Sequence, residues 1–299
     1  MNGVRTTNLS DSVRAFRHAS EHIGGIVSVI SLSGQHSVWL ATDLNDARFV
    51  LKYFESSNFD DHLFLEEMFL TENSKSSLVP QMVMADYSNR LLVLEWIENH
   101  PFAIESIGKI LSDMRDVLSR LKVPAKVHEG LPSGIQSWPK PLEDAGIGEV
   151  MVTNFLMSQQ EISASWQRTK ENWFEVGLVH GDIRLANILR TSSGIAIIDW
   201  ESYLLGPPEW DDACLFASVI LESMLDGPLS LWAINSLPEI SKLSEGFSQQ
   251  LRDHLIVKLS QSAIDMAAAG DDVPMQSAWL IDLALGLASK GRLDFVHIS

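Results

Sequence analysis

The chain has 299 residues, 45% hydrophobic and 20% charged, with 22 Lys and Arg against 39 Asp and Glu, a formal net charge of −17 at pH 7. That is an ordinary globular composition with ample material for a core, and its charge argues against nucleic acid as a main partner while favouring a cationic one. The single cysteine, Cys214, excludes an internal disulfide, and no run reaches the roughly 18 apolar residues of a membrane span.

The first twenty residues hold Arg5, Arg14, Arg17 and Asp11 and no apolar stretch suited to a signal peptide, so the expected location is the cytoplasm, with no membrane contact. Ser10 to Ile23 reads as a helix, with Val13, Phe16 and Ile23 near one face and Gly24-Gly25 as its stop. Strands are expected at Ile26–Leu32, Ser37–Ala41 and Phe49–Phe54, with a turn at Asp43-Leu44-Asn45-Asp46. Phe59–Asn73 reads as a helix. Pro80–Tyr87 and Arg90–Ile97 read as a strand pair turning at Ser88-Asn89. Together these make a small five-stranded antiparallel sheet with one helix, an α+β arrangement.

A boundary follows at Glu98-Asn99-His100-Pro101, dividing the chain into 1–98 and 99–299. Beyond it the pattern is helical: Ile104–Leu121, Gly148–Trp173, and most of Pro208–Leu293. Val123–Gly146, rich in Pro and Gly and carrying Trp138, reads as a long loop. Cys214 lies in the apolar run Ala213–Phe216, which suits a buried thiol.

One short hairpin, Ile188–Ile198, interrupts the helical half. Its four-residue turn Thr191–Gly194 sets Arg190 opposite Ile195 and Asn187 opposite Ile198. Asp199 then stands beside Asn187 at the open end, where an amide oxygen and a carboxylate make a hard site suited to Mg²⁺. Asp182 lies five residues before Asn187, on the loop entering the hairpin. Phosphoryl transfer needs one carboxylate to orient the nucleophile or take its proton, and an Asn and an Asp to hold metal on the phosphates. Asp182 is therefore assigned as the base, and Asn187 and Asp199 as metal ligands.

The run His180-Gly181-Asp182, then Asn187, then Ile198-Asp199-Trp200-Glu201 resembles the signature of the aminoglycoside phosphotransferase and choline kinase family. Gly206-Pro207-Pro208-Glu209-Trp210-Asp211 resembles that family's next motif. The resemblance implies a two-lobed protein-kinase-like fold. It also implies transfer of the γ-phosphate of ATP or GTP to a hydroxyl of a small, cationic molecule such as an aminoglycoside, amino alcohol or sugar. By the same resemblance, residues 1–98 form the nucleotide lobe, with a hinge at 94–99, and 99–299 the acceptor lobe. His180 and Asp211 support the loop rather than perform chemistry.

Lys52, alone in the apolar strand Phe49–Phe54, is the candidate phosphate-contacting lysine, since a buried ammonium needs partners. Glu66 and Glu67 both qualify as its helix partner. Glu66 is favoured because Phe69, Leu70 and Asn73 then fall at i+3, i+4 and i+7. Ser33, Gly34, His36 and Ser37, in the link between the first two strands, are expected over the phosphates. Leu94-Glu95-Trp96-Ile97 resembles the family's hinge, where the backbones of Glu95 and Ile97 would hold adenine.

Arg184-Leu185-Ala186 departs from the His-Pro-Gly that many members carry, and places Arg184 to meet a phosphate or an acidic acceptor group. Glu201, with Glu209, Asp212, Asp271 and Asp272, offers negative charge to a cationic acceptor. Trp138, Trp173, Trp200 and Trp210 offer aromatic walls or core packing. Two other readings stand beside this one: a Ser/Thr kinase for a peptide in natural-product maturation, and a catalytically silent nucleotide-binding module. No phosphate-loop, dinucleotide, zinc-protease or nucleophile-elbow motif competes.

Overall fold

The computed structural model of the chain describes residues 16–17, 19–21, 23–32, 37–54, 60–100, 105–127, 130–136, 145–225, 227–268 and 274–295. These residues divide into two compact units. The first comprises Met1–His100, Arg120–Val127 and Leu189–Ser202, and the second Pro101–Ser119, His128–Ile188 and Tyr203–Ser299.

The first unit is built on strands β1 (Ile26–Leu32), β2 (Ser37–Asp43), β3 (Arg48–Tyr53), β4 (Met82–Asp86) and β5 (Leu91–Glu95), in the order β1-β2-β3-β5-β4. All neighbours are antiparallel. Short polar turns set the registers. Asp43 takes the backbone N–H groups of Asn45 and Ala47 on one carboxylate oxygen, each at 2.8 Å, which lets Asp46 adopt a left-handed φ of 63°.

The period-2 alternation of the strands gives the sheet two different faces. Ala41, Leu51, Leu91 and Val93 lie on one, packed with Ala19, Ile23 and Phe16 from the N-terminal segment. That segment was expected to be a helix over Ser10–Ile23. Residues 16–17 and 19–21 are helical, Ile23 is already in the turn that ends at Gly24, and the other positions fall outside the described residues. Lys52, between Leu51 and Tyr53, is on the opposite face, paired in register with Val38 and Leu92.

Helix α1 (Asp60–Glu72) supplies the helix of this unit and buries Leu63, Glu66, Phe69 and Leu70. Those positions recur at helical spacing, so one stripe of the helix carries three apolar side chains and one acid. Asn73 closes it. Its amide donates to the Phe69 carbonyl at 3.1 Å, and its oxygen accepts from Lys122 at 2.8 Å.

The second unit is mostly helical: α2 (Ile107–Arg120), the single turn α3 (Ser133–Gln136), α4 (Ile147–Ser158), α5 (Gln160–Glu171), α6 (Glu209–Glu222), α7 (Ser230–Ser244), α8 (Gln249–Ala267) and α9 (Met275–Lys290). Helix α8 is its axis, packing against α4, α5, α6 and α9. The helix expected over Gly148–Trp173 is two helices. Gln159 leaves the helical region, at φ −87° and ψ 111°, and Ser163 turns its hydroxyl back to the Met157 carbonyl across the break.

A two-stranded sheet absent from the sequence reading, β6 (Gly177–Val179) with β9 (Leu204–Gly206), brackets the chemistry-bearing segment. Gly206 is required there. A Cβ on it would stand 2.5 Å from the Trp173 ring, whose Nε1 donates to the Leu205 carbonyl at 3.2 Å. Between β6 and β9 the chain forms the hairpin of β7 (Ile188–Thr191) and β8 (Gly194–Ile197). Its loop is the two residues Ser192-Ser193, shorter than the four expected, because Gly194 takes a positive φ of 141° and already belongs to the return strand.

Candidate active site

In the first unit, strand β3, helix α1 and the turn after β8 converge on one lysine. The Lys52 ammonium is 2.7 Å from Glu66 Oε2 and 2.5 Å from Glu201 Oε2, and it also donates to Asp199 Oδ1. Burial alone would lower the Lys52 pKa. The three carboxylates overrule it and hold the pKa above the ordinary lysine range, so the ammonium stays charged. Glu66 is itself buried, which lifts its carboxyl above the usual carboxylate range against the pull of Lys52. Glu67 faces elsewhere and accepts from the Tyr87 hydroxyl.

The sequence after β8 explains how Asp199 and Glu201 reach the same ammonium. Asp199 takes a left-handed φ of 70°, a conformation few non-glycine residues adopt. Trp200–Ser202 then forms a single 3₁₀ turn, returning Glu201 to the side Asp199 occupies. Trp200, buried between them in sequence, anchors the turn. Its ring stacks on Phe69 at 3.9 Å, and its Nε1 donates to the Ile197 carbonyl at 2.8 Å. Trp200 therefore serves packing.

Oxygens of Glu66, Asp199 and Glu201 lie within 4.8 Å of one another. Three carboxylates around one ammonium leave the cluster net negative, and hard oxygen donors with excess negative charge fit a divalent cation of the Mg²⁺ type. Asp199, whose side chain is 32% exposed, is the member open to such an ion. Glu66 and Glu201 are closed in around Lys52.

In the second unit, the loop after β6 is held by Asp211, at the start of α6. The Asp211 carboxylate accepts from the backbone N–H of His180 at 2.7 Å and of Gly181 at 3.0 Å. Burial pushes its pKa up to about 7, although both N–H groups favour the charged form. Gly181 has φ 86°, and its carbonyl accepts from Trp210 Nε1 at 3.0 Å. His180 is fully buried, and its Nδ1 is 3.4 Å from the Asp182 N–H.

The Asp182 carboxylate is partly exposed and pairs with Arg184 at 2.8 Å. Asn187 is tied back to the same loop, its amide donating to the Asp182 carbonyl at 3.1 Å. The Leu185 N–H donates to Ser218 of α6 at 2.9 Å. The loop thus presents Asp182 from a backbone fixed at both ends, which is what positioning a proton acceptor requires.

The remaining candidates sort as follows. Glu95 ends β5 and donates its N–H to the Gln81 carbonyl, and Ile97 follows it beyond the strand. Ser37 begins β2. Ser33, Gly34 and His36 lie outside the described residues, as do Trp138, Asp271 and Asp272. Asp212 is buried and takes a two-pronged bond from Arg115. Trp210 is buried with Trp173 edge-on to it at 5.5 Å. Cys214 is buried, and burial pushes its thiol up to about 12.

Sequence reasoning offered Glu201 as a contact for the acceptor. The signal that it also reaches Lys52 is its two-residue offset from Asp199, legible only once the intervening turn is known to be 3₁₀.

The model of the APH family, described as the phosphotransferase enzyme family, matches residues 27–227, a span that includes both clusters. No curated protein matches the sequence. Among solved structures, the chain is similar to choline kinase LicA from Streptococcus pneumoniae, with TM-score 0.62 and 16% identity over 93% of this chain and 99% of that one. It is similar to the amicoumacin kinase hAmiN in complex with AMP-PNP, Ca²⁺ and Ami, with TM-score 0.56 and 15% identity over 91% and 92%. It is also similar to APH(2")-IIia in a GDP and kanamycin complex, with TM-score 0.57 and 13% identity over 94% and 98%. At these identities the likeness shows the fold, an α+β kinase-like arrangement, while the family model covers two-thirds of the sequence; the chain belongs to the phosphotransferase enzyme family.

Proposed function

We propose that the protein moves the γ-phosphate of ATP or GTP to a hydroxyl group of a small cationic molecule in the cytoplasm. The observation that carries this reading is the Asp182 loop. A partly exposed carboxylate is presented from a backbone clamped by buried Asp211, inside a span that matches a phosphotransferase family. Asp182 accepts the proton of the incoming hydroxyl, or orients it. Asp199 and Asn187 would hold a divalent cation, Mg²⁺ by its preference for hard oxygen donors, and that ion would supply charge neutralisation for the transferred phosphoryl group.

Lys52, fixed by Glu66 and Glu201, neutralises nucleotide phosphates. The Ser33–Ser37 link covers them, and the backbones of Glu95 and Ile97 receive the base. Residues 1–98 serve as the nucleotide lobe and 99–299 as the acceptor lobe. Arg184 meets the phosphoryl group once it leaves Asp182.

The net charge of −17 supports a cationic acceptor, because such a surface concentrates cations and repels anions. The similar structures include a choline kinase and a complex with kanamycin, which supports an amino alcohol or aminoglycoside. The test is phosphate transfer from γ-labelled ATP and GTP to choline, ethanolamine, kanamycin, neutral sugars and short Ser/Thr peptides. Transfer to an amine-bearing alcohol is expected. Preference for a peptide or a neutral sugar would contradict it.

A further inference from the structure

One face of helix α6 runs along the Asp182 loop. Asp211, Cys214 and Ser218 fall at i, i+3 and i+7, so their side chains leave the helix on the same side. Asp211 takes the His180 and Gly181 N–H groups, and Cys214 Sγ lies 3.9 Å from the Gly181 carbonyl. Ser218 stands two turns from Asp211, about 10 Å along the helix axis. Its Oγ takes the Leu185 N–H at 2.9 Å. The first two hold the chain just before Asp182. Ser218 holds it just after, at the residue that opens the 3₁₀ turn Leu185–Asn187.

The turn has no acceptor of its own for that N–H. A helical turn leaves its first N–H groups without an internal partner. Here its bonds run from the Asn187 N–H to the Arg184 carbonyl at 2.9 Å, and from the Ile188 N–H to the Leu185 carbonyl. Leu185 is 2% exposed, and a buried N–H left unpaired is costly. A single 3₁₀ turn has poor bond geometry, so an outside bond bears on everything the turn carries. What it carries is Asn187. The Asn187 amide nitrogen donates to the Asp182 carbonyl at 3.1 Å. That bond fixes which way round the amide sits, and so where its oxygen, the donor suited to a hard cation, is presented.

We propose that Ser218 is a positioning residue for Asn187: through the Leu185 N–H it sets the Asn187 amide for the divalent cation. The proposal rests on the phosphotransfer reading above for the presence of that ion. It has a specific genetic signature. Arg184 is extended, at φ −130° and ψ 157°, the conformation a residue before proline adopts. Position 185 is the first of its turn, where a proline's missing N–H breaks no internal bond. Leu185→Pro therefore removes the donor and suits the backbone already there.

The experiment titrates Mn²⁺ into the full chain saturated with AMP-PNP, reading bound ion by water-proton relaxation. It compares wild type, Ser218→Ala, Leu185→Pro and the double variant. Alanine favours a helix interior, so Ser218→Ala folds, which a thermal melt checks. Ser218→Ala should bind Mn²⁺ about tenfold more weakly, the scale for losing a group that orients a metal ligand. Added to Leu185→Pro, the same change should alter affinity less than about twofold, because no N–H is left to strand. Wild-type Mn²⁺ affinity in Ser218→Ala would overturn the proposal. So would an equal loss in the Leu185→Pro background, since Ser218 would then act by another route. A wild type that binds no Mn²⁺ would overturn the metal assignment and this role together. The expected pattern in a chain that phosphorylates nothing would sink the transfer reading and leave the role of Ser218 standing.

Discussion

Asp211 accepts hydrogen bonds from two consecutive backbone N–H groups, those of His180 at 2.7 Å and Gly181 at 3.0 Å, from the far side of a 30-residue excursion of chain. Replacing it with alanine leaves both donors buried and unpaired. At pH 8, where the carboxyl is ionised, Asp211→Ala should lower unfolding free energy by about 2–4 kcal/mol. Asp211→Asn, which keeps one acceptor, should lose about half as much. Urea denaturation of the three proteins checks the ranking.

Lys52 is bound by Glu66, Asp199 and Glu201 together, so its removal leaves three carboxylates facing one another. Lys52→Met should destabilise the fold by about 3–5 kcal/mol, the usual cost of stripping one partner from a buried ionic group. Glu201→Gln in the same background should recover part of that loss, giving a coupling of about 1 kcal/mol or more in a double-mutant cycle. Additive effects of the two changes would contradict the shared site.

Lys52 was legible because a lone cation in an apolar strand must have partners. Helical spacing favours Glu66 over Glu67 because it aligns Glu66 with Phe69, Leu70 and Asn73. The sheet, its helix and the clustered motif around Asp182 could be read from period and turn chemistry. Glu201's reach to Lys52 could not, because 149 residues separate them and the 3₁₀ turn that aims it leaves no compositional mark. The break at Gln159 was invisible for a similar reason, with neither Gly nor Pro to signal it. The β6–β9 pair escaped because three-residue strands carry too little alternation to register.

Gly206 is fixed by its neighbour rather than by its own torsion. A methyl group there would stand 2.5 Å from the Trp173 ring, a rigid indole that cannot yield cheaply. Gly206→Ala should cost about 1–3 kcal/mol. Trp173→Phe, which removes the obstructing ring atoms, should restore part of the stability in the double variant despite losing the bond to the Leu205 carbonyl. Thermal melts of the two single variants and the double variant decide it. A double variant worse than the sum of its parts would contradict the contact.

His254 supplies a pH signature. Its pKa is depressed by burial to about 4 from an ordinary value of 6.5. A base held neutral in the fold contributes stability that is complete above 6.5 and lost as pH falls through 4. Between pH 7 and pH 4 the wild type should therefore lose about 3 kcal/mol relative to His254→Phe. Denaturation curves for the pair across that range should converge on the acid side. Parallel curves would show that the ring is already charged or solvated.

The account depends on Asp182 meeting the hydroxyl of the acceptor. Asp182→Asn keeps the size of the side chain and the backbone carbonyl that Asn187 holds. The measurement is single-turnover phosphate transfer together with nucleotide affinity for this variant, using the best acceptor from the panel. The account predicts a fall in transfer rate on the order of 10²–10⁴-fold, with nucleotide affinity changed by less than about threefold. Transfer at the wild-type rate would contradict it.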